Sequence, residues 1–279
     1  MAVISRLMGA ALRGFFTLLL ILTPALLLPG VSADSAQVVM LIGLFAAALT
    51  FVEYSSAYPC LFEFRDAPPF NRTRFVSLFV TVFLLSVMAR GVTDDSTLGT
   101  LVTTVGRMIA DAIDFPYSPV RLSVLMLPAD APAAQLELLH AAAGLAYLIS
   151  LLSLAVFYLV VQLKRWPLQN GSFNVWINLP TFDPTTGGDV VSRLRRDSRI
   201  NVVLGFLLPF LMPAAVSSAT TLFDSVSLMS PQTMIWTVAA WAFLPASLMM
   251  RGMAMSRLAT MIAQKRKQVT MTDAGLLPA

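Results

Sequence analysis

The chain has 279 residues; 57% are apolar, 12% are charged, and the mean hydropathy is +0.77. A soluble domain carries about 25% charged and 45–50% apolar residues, so soluble, disordered and nucleic-acid-binding classes are all poor fits. The apolar residues fall in blocks about 20 long, the length that crosses a bilayer core as helix, and the expected fold is an all-α integral membrane bundle.

The net charge of +4 is small, and its distribution along the chain matters more than its size. Arg outnumbers Lys 16 to three; with abundant Ala and Leu this suggests a GC-rich, bacterial genome. The lone Cys60 forbids an intramolecular disulfide. The lone His140 forbids a multi-histidine metal site.

The first apolar block covers 15–29, after Arg6 and Arg13. It resembles a secretory signal, with Val31-Ser32-Ala33 as a cleavage site, but a second block at 36–54 follows at once. The pair is read as a hairpin of two uncleaved spans. A polar segment at 57–74 precedes the third block, 75–88.

The segment 91–135 contains an amphipathic stretch, 98–114. At about 100° per residue, Leu98, Leu101, Val102, Val105, Met108, Ile109 and Ile113 fall on one side. Thr100, Thr103, Thr104, Arg107, Asp111 and Asp114 fall on the other. The stretch is too polar to span, so it is expected to lie at the outer membrane boundary or on the outer mouths of the spans. Its face around Leu101, Val105, Met108 and Ile109 is a candidate docking surface. Pro116, Pro119, Pro128 and Pro132 forbid a long helix in the rest of the segment, and Phe115 and Tyr117 are candidate interface anchors.

The fourth block is 136–163, followed by a polar segment at 164–199. There Phe173, Val175, Ile177 and Leu179 alternate with polar or aromatic neighbours, predicting a short extended element ended by Pro180. A breaker-rich turn leads to Asp189, a predicted cap for a helix starting at Val190 and running into the fifth block, 200–223. Arg193, Arg195, Arg196 and Arg199 cluster at this inner end as candidate contacts for lipid headgroups or an acidic partner. The sixth block is 234–250, and the tail 251–279 is basic.

Six spans with the N-terminus inside place 16 basic residues on the inner side and only Arg90, Arg107 and Arg121 on the outer. Inner loops are enriched in Lys and Arg, so both termini are expected in the cytoplasm. The sites Asn71-Arg72-Thr73 and Asn170-Gly171-Ser172 then lie on the wrong side for glycosylation.

Chemistry is sparse. Glu53, Arg90, Glu137 and His140 all sit at span ends, none at mid-membrane, which argues against a proton-coupled or voltage-driven device. Glu137 and His140 share one helix face, but one His cannot complete a di-metal site. His140 remains a candidate single ligand for haem or pigment, against the plainer reading of a hydrogen-bonded interfacial imidazole. Cys60 lacks a histidine partner on its side of the membrane. Pro24, Pro209, Pro213 and Pro245 interrupt spans, and small residues after Pro213 permit close packing. No cofactor is predicted. The expected role is a non-catalytic structural, accessory or assembly component of an inner-membrane complex, whose partners are lipids and other membrane proteins. The alternative, favoured by the kinked fifth span, is a transporter or channel for a small uncharged or lipid-like solute.

Overall fold

In hydrocarbon, a long apolar segment can satisfy its own N–H and C=O groups only as helix, and these blocks do so. The computed structural model describes residues 2–94, 96–163, 166–167, 174–183, 185, 187–222 and 228–273. Among them all regular structure is helical: α1 (Ala2–Leu27), α2 (Ala33–Ser55), α3 (Phe70–Arg90), α4 (Thr97–Ala112), α5 (Pro119–Ser123) with a 3₁₀ turn at Val124–Met126, α6 (Ala133–Leu163), α7 (Val175–Asn178), α8 (Val190–Leu222) and α9 (Pro231–Asp273). Six of them, α1, α2, α3, α6, α8 and α9, are long and apolar enough to cross a membrane. The protein is therefore a polytopic membrane protein by its helices.

Local signals set several boundaries. Ser32, Ser96 and Ser118 each accept a backbone N–H three residues on, which caps α2, α4 and α5. Pro119 opens α5, where its missing N–H costs nothing. Asp189 accepts the Ser192 N–H at 2.9 Å, starting α8 at Val190 as its sequence predicts. The helix then continues without a break into the fifth apolar block. α9 runs 43 residues, far past the apolar stretch that ends near Met250.

The alternating segment is a correction. Val175–Asn178 form a helical turn, not an extended element. Asn174 takes the Asn178 N–H on its carbonyl and the Ile177 N–H on its side chain, and this local capping outweighs a short alternation. Phe173 lies outside the described residues.

α3, α6 and α9 pack on one another at the centre. α2 packs on α1, which in turn reaches α3, while α8 lies along α9. The central core includes Val82, Leu85, Met88, Leu139, Ile235 and Trp241. α8 and α9 approach at backbone distance: a Cβ on Gly252 would lie 2.8 Å from the Ser198 carbonyl, and Ser198 Oγ donates to the Gly252 carbonyl at 2.8 Å.

Pro213 has no N–H, so the carbonyl of Pro209 four residues earlier loses its helical donor. The indole Nε1 of the fully buried Trp241 donates to that carbonyl at 3.0 Å. The carbonyl that Pro213 frees in α8 is thereby bonded to α9.

A second apolar core forms at one end of the bundle, from loops as well as helices. Phe64, Phe70, Phe157 and Trp166 meet there with ring centroids 4.6–5.8 Å apart, joined by Leu194 and Leu258. Phe64 sits at φ 52°, a costly conformation for a bulky residue. Its N–H bond to the Asn178 carbonyl at 2.6 Å and its buried ring hold it there.

Candidate functional site

The most concentrated polar chemistry lies in this second core. Glu63 accepts Arg251 Nε at 2.6 Å and Nη2 at 2.8 Å, a two-pronged ion pair between the α2–α3 loop and α9. Thr181 Oγ1 donates to the same carboxylate at 2.7 Å, bringing in the α6–α8 segment. Burial pushes the Glu63 carboxyl up, but the bonds from Arg251 and Thr181 outweigh it and hold the group below its ordinary value. Asn71 Nδ2 donates to the Glu63 carbonyl at 2.8 Å, and the Arg74 guanidinium lies 5.1 Å from the Phe70 ring centre.

Glu53 forms a neighbouring knot. It is buried and accepts the backbone N–H groups of Cys60, Leu61 and Phe62 at 3.0–3.3 Å. Arg65 donates to the carbonyls of Glu53 and Ser56, closing the last turn of α2. The chain's third glutamate, Glu137, is taken by Arg107 at 3.2 Å. All three glutamates thus hold segments together. The Glu63 cluster went unread in the sequence, because Glu63 and Arg251 stand 188 residues apart and nothing local pairs them.

The segments rich in Arg and Lys meet at this same end. Arg6 donates to the Ser55 carbonyl, Asp189 pairs with Arg266, and Arg257 donates to the Trp166 carbonyl at 3.4 Å. Lys164 and Arg165 lie outside the described residues. At the opposite end are the pairs Arg90–Asp94, Arg107–Glu137 and Arg121–Asp114.

His140 is half-buried near the N-terminal end of α6. Its helix neighbour Glu137 is committed to Arg107, so the two do not pair as a unit. Asp114 is the acid near His140: the hydrogen bond from Arg121 depresses its carboxyl, with a smaller contribution from the imidazole. Among the described residues no group of three or more His, Cys, Asp or Glu is placed to hold a metal.

α4 has three faces where hydropathy distinguishes two. Gly99, Val102, Gly106 and Ala110 are buried against α3 and α6. A Cβ on Gly144 of α6 would sit 2.7 Å from Ala110 backbone atoms, so the helices touch through small residues. Ile109 and Ile113 also turn toward the central core. Leu98, Leu101, Val105 and Met108 point away from it, with Leu101 58% and Met108 68% exposed. Thr100, Thr104, Arg107 and Asp111 form the third, polar face.

The arginine cluster also divides. Arg193 turns inward, donating to the Asp183 carbonyl at 2.9 Å and covering the Phe182 ring at 4.7 Å. Arg195, Arg196 and Arg199 are exposed around a shallow depression shared with Asp189, Val191 and Ser192. No protein-family model, no curated protein and no solved structure matches the chain.

Proposed function

We propose that the protein is a non-catalytic accessory or assembly component of a larger complex in a bacterial cytoplasmic membrane, with both termini in the cytoplasm. The orientation rests on the gathering of the Arg- and Lys-rich segments at one end of the bundle. The opposite end then carries α4 at the outer boundary. Its three faces suit that place: small residues on the bundle, polar residues toward water, and large apolar residues toward lipid or a partner helix.

The observation that carries the reading is that the outward apolar face of α4, Leu98, Leu101, Val105 and Met108, stays 39–68% exposed, while every glutamate is spent on bonds within the chain. Purification of the tagged protein in mild detergent, with mass spectrometry of co-purifying chains, tests it. A membrane protein should co-purify in fixed ratio, and Leu101→Ser/Met108→Ser should release it. Recovery of the protein alone from gently solubilised membranes would sink the reading. The kinked α8 favours the alternative, a conduit for a small uncharged or lipid-like solute. The Trp241 bond to the Pro209 carbonyl argues for packing instead. Solute flux into proteoliposomes containing the protein alone would decide for the conduit.

A further inference from the structure

We propose that the inner end of α8 is a binding site for an anionic phospholipid, gripped at its phosphate by Arg195, Arg196 and Arg199. The argument begins with depth. From Ile200 to Leu222 of α8 are 23 residues, and at about 1.5 Å per residue they span roughly 34 Å, enough to cross a hydrocarbon core of about 30 Å. The headgroup layer beyond that core is about 5–7 Å deep. Arg199, Arg196 and Arg195 stand at the edge of the core and within roughly 6 Å above it, inside that layer. Arg193 lies higher and is committed to the inner loop.

Charge and face agree with depth. Arg195 and Arg199 have no hydrogen-bond or ion-pair partner among the described residues, and Arg196 has only Asp197 at 3.5 Å. Asp189, the acid in the same depression, is already paired with Arg266. α9 packs on a different side of α8, through Ser198 and Gly205, and leaves Arg195, Arg196 and Arg199 exposed. Below Arg199 the exposed Val203 follows at a spacing of four, and the exposed Phe206 three residues further on. A phosphate held by the guanidinium groups therefore has its acyl chains laid along an apolar strip of the same helix. A free anion uses only the upper half of this site, and an acidic protein has no use for the lower half.

The test uses the full-length protein in phosphatidylcholine nanodiscs doped with phosphatidylglycerol, with retained lipid read by native mass spectrometry. Wild type should retain phosphatidylglycerol over phosphatidylcholine. At about fivefold per arginine, Arg195→Gln/Arg196→Gln/Arg199→Gln should weaken that retention on the order of 100-fold. Val203→Ser/Phe206→Ser keeps the guanidinium groups and should weaken lipid retention while the three arginines bind inorganic phosphate as weakly as in wild type. The melting temperature of both variants checks that the fold persists. Equal retention in the triple-Gln variant overturns the proposal. So does saturation of the site by inorganic phosphate alone, or loss of a co-purifying acidic protein with lipid retention unchanged. The site rests on the membrane reading but not on which side faces the cytoplasm, so a reversed topology leaves this result standing.

Discussion

Trp241 makes the packing of the proline-containing α8 measurable. Its Nε1 gives the Pro209 carbonyl the hydrogen bond that Pro213, without an N–H, cannot supply. Trp241→Phe keeps an aromatic ring beside Tyr147, whose ring centre lies 5.8 Å away, but removes the donor. A buried carbonyl left without a partner costs about 1–3 kcal/mol, and interhelical hydrogen bonds in membranes average about 0.6 kcal/mol with a maximum near 1.7. The expected loss from the missing bond is therefore about 1 kcal/mol, with a further packing cost for the smaller ring. Pro213→Ala supplies a backbone N–H in line with the same carbonyl, so it should rescue the polar part of the loss and nothing else. Unfolding by dodecyl sulfate in mixed micelles, followed by circular dichroism, gives the four stabilities of the cycle. The double variant should be more stable than the sum of the single effects by about 1 kcal/mol. Additivity within about 0.3–0.5 kcal/mol, the usual result for independent sites, would refute the assignment of Trp241 as the carbonyl's substitute donor.

The other expectations are more direct. Gly144→Ala drives a Cβ to 2.7 Å from Ala110 backbone atoms, so α4 must shift at a cost of about 1–3 kcal/mol; faster proteolysis within α4 is the readout. Spin labels at positions 101 and 108 should report an apolar environment and labels at 104 and 111 a wet one, and equal water access at all four would remove the three-faced description of α4. Glu63→Gln should destabilise the protein by about 1–3 kcal/mol through its lost charged hydrogen bonds to Arg251. Because the folded-state carboxyl of Glu63 is depressed, its contribution is full above the unfolded value near 4.3 and fades as pH falls through the lower folded value. Melting temperature in wild type should fall more steeply with acid than in Glu63→Gln. Cys60 is exposed, so an impermeant maleimide should label it in permeabilised cells and not in intact ones; strong labelling of intact cells would reverse the orientation.

The spans were legible because hydropathy over about 20 residues is a strong, local signal. The start of α8 was legible for the same reason, since an Asp cap acts within three residues. What escaped was long-range or small. The division of the α4 stripe depends on Gly99, Gly106 and Ala110, which weigh little in any hydropathy pattern yet decide which side can approach α6 closely. Hydropathy alone therefore grouped Val102 and Ile109, which face the bundle, with Leu101 and Met108, which do not. The four arginines of α8 formed a single cluster in sequence, whereas Arg193 alone turns inward because Phe182 and the Asp183 carbonyl receive it. The Glu63 knot required three segments to converge, and no periodicity encodes that.

The second apolar core has a consequence for the order in which the protein is made. Its walls come from the α2–α3 loop, the α6–α8 segment and the far half of α9. The acid at its heart, Glu63, leaves the ribosome 188 residues before Arg251. At about 5–20 residues per second, that interval is roughly 10–40 s. During it the early spans can insert and α1 can pair with α2, but Phe64, Trp166 and their neighbours lack Leu258 and the rest of the α9 wall. The last helix therefore acts as the closing stave. A nascent chain stalled before it should hold its spans in the membrane with the end cap still open, and release of the stall should protect the α2–α3 loop from protease in a single late step.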